Sequence, residues 1–309
     1  MWKQKTGRRW NYQNAGGASS EFRVLRFTRN SLAAIATMRL RFPVKTDFHN
    51  WANHIVSLES EKKRIICVVN QKGGVGKTTT AVNLAAAMAK AGHRTLLIDM
   101  DPQCNATGAL GCKVAARHPL ISDAPVSESL VNTHIPLLDV LPGSRSFQDV
   151  DKLAQSDGPQ QVLVRQRIDS LHAAYKFLLI DCPPTLGTLT EAALTASTEV
   201  LIPVQCEYFA MEGLSQLIQV IRRVMQRTDG RLTFGGILLT MYDPYLELTG
   251  EVDNEVREFF GDIVFDTVVP RDVSLCEAPS HGQSVFDYAP RSRGAFAYTQ
   301  LCMEVLERD

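Results

Sequence analysis

Ile65-Ile66-Cys67-Val68-Val69-Asn70-Gln71-Lys72-Gly73-Gly74-Val75-Gly76-Lys77-Thr78-Thr79-Thr80-Ala81-Val82-Asn83-Leu84 reads as an apolar strand, a glycine-rich turn and the start of a helix, in that order. An unbroken apolar run of this length suits a strand covered on both faces, as in a parallel sheet. A glycine loop turns its amides inward, and the helix that follows presents its positive end, so together they bind a polyphosphate with few cationic side chains. Gly76, Lys77 and Thr78 complete the P-loop pattern Gly-x-x-x-x-Gly-Lys-Ser/Thr, while Gln71 stands at its opening glycine and a second lysine, Lys72, opens the loop. Gly73, Gly74, Val75, Gly76, Lys77, Thr78 and Thr79 are therefore expected to bind phosphate. Lys77 should reach the β- and γ-phosphates, and the Thr78 hydroxyl should ligate Mg²⁺.

Outward from this stretch, short apolar runs alternate with segments of helical period, which predicts βαβ units. Strands are expected at 65–70, 94–99, 138–142, 177–181, 199–204, 233–241 and 263–269. Helices are expected at 78–91, 160–174, 189–196, 212–226, 246–260 and 294–306. The fold class is α/β: a P-loop NTPase with a mainly parallel, twisted sheet and helices on both faces. Along 212–226, Leu214, Leu217, Ile218, Ile221, Val224 and Met225 form one apolar stripe, with Arg222, Arg223 and Arg227 largely off it.

Two of the strands end in carboxylates, Leu96-Leu97-Ile98-Asp99-Met100-Asp101 and Leu178-Leu179-Ile180-Asp181. Acids at the carboxyl edge of a parallel sheet face the ligand crevice. An aspartate closing an apolar strand is the Walker B arrangement, so Asp181 is expected to hold the Mg²⁺ shell. Asp99 is expected to support the metal and its loop. Aspartates at strand ends also serve as ordinary turn residues.

Lys72-Gly73-Gly74-Val75-Gly76-Lys77-Thr78 resembles the deviant Walker A motif of the ParA/MinD ATPases, and Asp99-Met100-Asp101-Pro102-Gln103 resembles their Walker A′ element. Further likeness to chromosomal ParA/Soj proteins lies at 203–214, 238–243, 269–273, 277–282 and 287–294, so the resemblance spans residues from about 61 to 308. It implies ATP and Mg²⁺ as cofactors, a nucleotide-sandwich homodimer in which Lys72 reaches the other subunit's nucleotide, and a ParB-like activator. It implies that Asp101 positions the attacking water and that Met241, Pro270 and Asp272 border the adenine. The implied activity is ATP hydrolysis for chromosome or plasmid partitioning or other cargo positioning, in the cytoplasm and on the nucleoid. Non-specific DNA binding is also implied, but Tyr245 and Ser274 stand where the resembled proteins carry arginine. Binding would then fall to Arg222, Arg223, Arg227, Arg231, Arg271 or the basic leader. The alternative is a nucleotide-dependent switch, MinD-like or regulatory, that acts on a surface other than DNA.

Composition narrows the class further. The 309 residues carry 33 Lys+Arg against 33 Asp+Glu and are 45% hydrophobic, which excludes disordered and fibrous chains. No run approaches the roughly 18 to 20 apolar residues of a membrane-spanning helix, and 301–309 carry no basic amphipathic pattern, so no membrane partner is expected. Residues 1–60 hold ten Lys/Arg and three Asp/Glu, and the balance of +7 is offset by −7 in the rest. This divides the chain into a poorly ordered basic leader (1–60) and an ATPase domain (61–309). A transit peptide or basic amphipathic helix is the other reading of the leader. The seven cysteines show no Cys-x-x-Cys pair and are expected to be reduced structural thiols.

Overall fold

The structure, a computed structural model, describes residues 64–122, 124–146, 159–172, 174–207 and 210–308. The leader expected at 1–60 lies outside the described residues.

Eight strands form one sheet in the order β3-β4-β2-β5-β1-β6-β7-β8. They are β1 (Arg64–Val68), β2 (Thr95–Asp99), β3 (Val131–Asn132), β4 (Leu138–Leu141), β5 (Phe177–Asp181), β6 (Glu199–Gln205), β7 (Thr233–Tyr242) and β8 (Val264–Pro270). All pairings are parallel except β3 with β4. The helices are α1 (Lys77–Lys90), α2 (Asn105–Ala109), α3 (Pro159–His172), α4 (Thr188–Ala196), α5 (Ala210–Arg227), α6 (Glu247–Phe260), α7 (Val273–Glu277), α8 (Val285–Tyr288) and α9 (Arg293–Glu307). Every expected strand and long helix is present within about two residues. The sequence reading missed β3, α2, α7 and α8, which are too short to show a period.

Two cores lie on opposite faces of the sheet. Ile65, Cys67 and Val69 pack into one core with residues of α3, α4, α5 and α6, while Ile66 and Val68 pack into the other with α1 and α9. Alternation along β1 is thus real but silent in the sequence, because both faces are buried. The expected stripe of α5 lies in the first core or against it, and Arg222, Arg223 and Arg227 are exposed. In α1 the small residues Ala81, Ala85, Ala86, Ala87 and Ala89 are all buried, which lets the helix lie close to both sheet and α9. Its carboxyl half is tied down by Lys90, which pairs with Asp287 at 2.7 Å.

The register of β6 against β7 slips between Val200 and Leu201, where Gly235 and Gly236 absorb an extra residue. Gly236 has φ of 155°, and a Cβ there would clash with Phe265 Cε2 on the buried ring of β8. Gly236→Ala should cost about 2–4 kcal/mol through backbone strain and overpacking, read as a lower Tm. Gly250→Ala, in the interior of α6 where a Cβ meets nothing within 4 Å, should melt at or above the parent by about 0.5–1 kcal/mol.

Candidate functional site

The glycine loop emerges where β1 lies between β5 and β6, and its backbone is clamped from the side of β6 and β7. The Val69 amide donates to the Leu201 carbonyl at 3.1 Å. Buried Asn70 donates from Nδ2 to the Pro203 carbonyl at 2.7 Å and accepts the Lys72 amide on Oδ1 at 3.0 Å. Thr240, near the end of β7, donates from Oγ1 to the Val75 carbonyl at 2.9 Å. Gly76 then caps α1 in the left-handed region, φ 87°, a conformation that a side chain would strain. The result is a loop of preset shape at the positive end of a 14-residue helix.

Lys77 crosses the mouth of this loop. Its side chain is largely buried, the residue being only 7% exposed, and Nζ donates to the Lys72 carbonyl at 3.1 Å. Burial lowers its proton affinity, and the charges of Asp181 and Asp101 act against that loss.

Asp181 and Asp99 are register partners across β5 and β2, so two carboxylates lie side by side in the sheet with no exposure. Asp181 accepts the Thr78 hydroxyl on Oδ2 at 2.8 Å, while its Oδ1 is buried with no hydrogen-bond partner among the described residues. Burial first, and then the Asp99 charge, drive its pKa well above the usual carboxylate range. A buried carboxylate oxygen left unsatisfied beside a hydroxyl is costly by itself. The pair suits a small divalent cation with oxygen ligands, so the residues present fit Mg²⁺.

Asp99 does something else. Its Oδ2 accepts both the amide (2.8 Å) and the hydroxyl (2.6 Å) of Thr107, and its Oδ1 accepts the Asp101 amide at 3.2 Å. Thr107 Oγ1 in turn accepts the Gly143 amide at 2.8 Å. Asp99 thereby anchors β2, α2 and the end of β4, and burial raises its pKa to about 6. Asp101 is nearly buried, accepts the Gln103 amide at 2.9 Å, and lies close enough for its charge to act on Lys77.

Sequence reasoning missed His118, which is wholly buried behind this edge. Its Nδ1 accepts the Leu120 amide at 3.2 Å, which leaves the proton on Nε2 to donate to the Asp99 carbonyl at 2.9 Å. Burial pushes its pKa down to about 4. Thr107 and Thr240 were missed as well, since neither sits in a recognisable spacing. Asn70, directly after an apolar strand, was the one with a readable signal.

At the loop's outer end Lys72 is half-exposed and pairs with Glu207 at 3.0 Å. It borders an open cleft of about 680 Å³, lined also by Gln71, Pro184, Thr185, Leu186, Gly213 and Gln216. Met241 and Pro270 come to the same sheet edge, where Tyr242 pairs with Pro270. Met241 has φ of 52°. Asp272 spends its carboxylate on backbone, with Oδ1 accepting the Ser274 amide at 2.9 Å and Oδ2 the Gly294 amide at 2.8 Å. Burial pushes its pKa up, but these amides outweigh it and hold the pKa below the usual carboxylate range.

The chain matches the AAA_31 family, an AAA domain, over residues 63–234. It is similar to the sporulation initiation inhibitor protein Soj of Bacillus subtilis (strain 168), 45% identical over 247 residues, covering 78% of this chain and 98% of that protein. It is similar to the chromosome partitioning protein ParA of Myxococcus xanthus, 44% identical, covering 80% and 89%. Among solved structures it resembles the cobyrinic acid a,c-diamide synthase of Mycobacterium smegmatis with bound ATP analog and magnesium, with a TM-score of 0.69, 30% identity, and coverage of 79% of this chain and 95% of that one.

The buried imidazole gives a pH signature. Unfolded, the ring takes a proton near 6.5; folded, it resists until about 4, so its share of stability is lost as pH falls from about 6.5 to about 4, on the order of 3 kcal/mol. Asp99 runs the other way, with a folded value of about 6 against 3.8, so it weakens the fold as pH rises through that window. His118→Gln, which keeps a side-chain donor without a titrating ring, should therefore gain on the parent as pH falls from 7 to 4, by roughly that amount. Urea midpoints at the two pH values measure it.

Proposed function

The chain belongs to the ParA/Soj family of P-loop ATPases, and from that membership we propose that it is an ATP-dependent dimerising switch that positions chromosome, plasmid or other cargo in the cytoplasm and is stimulated by a ParB-like partner. The observation that carries the reading is the joint placement of Thr78, the half-satisfied Asp181 and Lys77 under one glycine loop, with a second lysine at its rim. We divide the chain for this purpose into a basic leader (1–60) and an ATPase body (61–309).

Bound ATP supplies the phosphoryl group, and Mg²⁺ neutralises the charge of its outer phosphates. The loop amides from Gly73 to Thr79 bind the phosphates, and Lys77 donates to the β/γ oxygens. Thr78 and Asp181 would hold the metal, with Asp99 supporting it and its loop. Asp101 orients water rather than abstracting its proton outright, since a carboxylate is a weak base. Met241, Pro270 and the backbone near Asp272 border the base. Lys72 is the group that one subunit presents to the other's nucleotide, which makes turnover depend on the dimer.

Non-specific DNA is the surface this reading favours, with a changed footprint. Tyr245 is 91% exposed, and its neighbour Leu246 is exposed too. Arg231 donates to both oxygens of Asp169 and to the Ala196 carbonyl, so it is committed to the fold. Arg271, Arg291 and Arg293 are exposed, and Arg293 donates to the Arg271 carbonyl at 3.1 Å, which draws these two together beside Ser274. A second reading, a switch acting on a non-DNA surface, rests on the tyrosine and serine at the two arginine positions.

Lys77→Ala should weaken ATP binding by roughly 10- to 150-fold, the worth of hydrogen bonds to a charged group, as read by calorimetry. Asp101→Ala should keep ATP and remain dimeric in light scattering while phosphate release falls by about 10²- to 10⁴-fold. For the surface, Arg271→Ala/Arg291→Ala/Arg293→Ala should lower the salt slope of duplex binding by roughly five, at about 0.9 per phosphate contact and six contacts per dimer. An unchanged slope would favour the second reading.

A further inference from the structure

Lys72 cannot serve another subunit from where it lies. Its Nζ donates to Glu207 Oε2 at 3.0 Å, and Glu207 Oε1 accepts a short hydrogen bond from Gln205 Nε2. Gln205 closes β6 and pairs with Thr240 of β7, so the carboxylate is mounted on the sheet rather than on a loose loop. The other end of Lys72 is equally fixed, because its amide is held by Asn70 and its carbonyl by Lys77. Only the side chain can move, and the carboxylate occupies its charge. The two side chains are 40% and 45% exposed, so water reaches the pair and it can open.

We propose that Glu207 is a positioning residue that holds Lys72 in cis and sets the threshold for ATP-driven dimerisation. The inference rests on the reading of Lys72 as the group presented across the dimer. Each subunit must open its own Lys72–Glu207 pair before its ammonium can meet a phosphate on the other. Dimerisation therefore opens two pairs. Binding of ATP within one subunit, which uses Lys77 and the loop amides, opens none. An exposed ion pair is worth a factor of about 1.4 to 5, so two of them shift the dimer constant by roughly 2- to 30-fold. The effect on monomer affinity is nil, and the pair loses its hold as salt screens it.

The experiment uses the full chain and Glu207→Gln with Mg²⁺ and a non-hydrolysable ATP analogue, and follows dimerisation by sedimentation at several NaCl concentrations. Analogue affinity is measured at a dilution where both proteins are monomeric. Glu207→Gln should dimerise roughly 2- to 30-fold more tightly at 50 mM NaCl, with the advantage shrinking toward none at 500 mM and with unchanged affinity for the analogue. Dimerisation equal to or weaker than the parent's, or an advantage that salt does not alter, overturns the role of Glu207. A parent that stays monomeric with the analogue overturns the reading of Lys72 itself, and this proposal with it.

Discussion

Asp181 has one oxygen bound to Thr78 and the other without a hydrogen-bond partner among the described residues, at a position with no solvent exposure. That single unsatisfied acceptor constrains everything around it. A carboxylate in such a place either keeps its proton or acquires a cation. Its neighbour across the strands, Asp99, meets the same burial by the opposite route, taking two donors from Thr107 and one from Asp101. Two acids in equivalent register thus end with different chemistry. One is saturated by protein and holds the loops; the other is left open toward the glycine loop.

The sheet makes this difference possible. Parallel strands β1, β2 and β5 end at one edge, so whatever follows them converges there. The loop after β1 is then held from the side by β6 through Asn70 and by β7 through Thr240. Further out, α1 is coupled to the layer beneath it. Thr80 shares a buried hydrogen bond with Tyr298 of α9, and Asn83 accepts the Val285 amide at the start of α8. The phosphate loop and the carboxyl-terminal layer therefore cannot shift independently without breaking buried polar contacts, whose loss is costly.

Family membership and surface chemistry point in partly different directions. The interior of the site is built from buried, mutually bonded groups, while Tyr245 and Ser274 stand at the periphery where the sequence reading expected arginine. Cationic groups persist nearby at Arg271, Arg291 and Arg293. A long-range electrostatic surface tolerates such relocation, because counterion release depends on how many phosphates are met and little on which residue meets them. A phosphate loop does not, because its donors must converge on one point.

By itself the sequence determined the strand, loop and helix around Lys77, the carboxylates at 99, 101 and 181, the α/β class and the apolar stripe of α5. These were legible because they rest on local order: residue types at fixed spacing within one element. What only the tertiary structure decided is which of two similar aspartates is free, that His118 supports the edge from behind, and that Lys72 is held by Glu207, 135 residues away in the chain. Such facts depend on partners brought together by sheet order, and no spacing along the chain encodes them. Asp99 and Asp181 look alike in sequence because each closes an apolar strand; they part company because Thr107 folds back over one of them and Thr78 approaches the other.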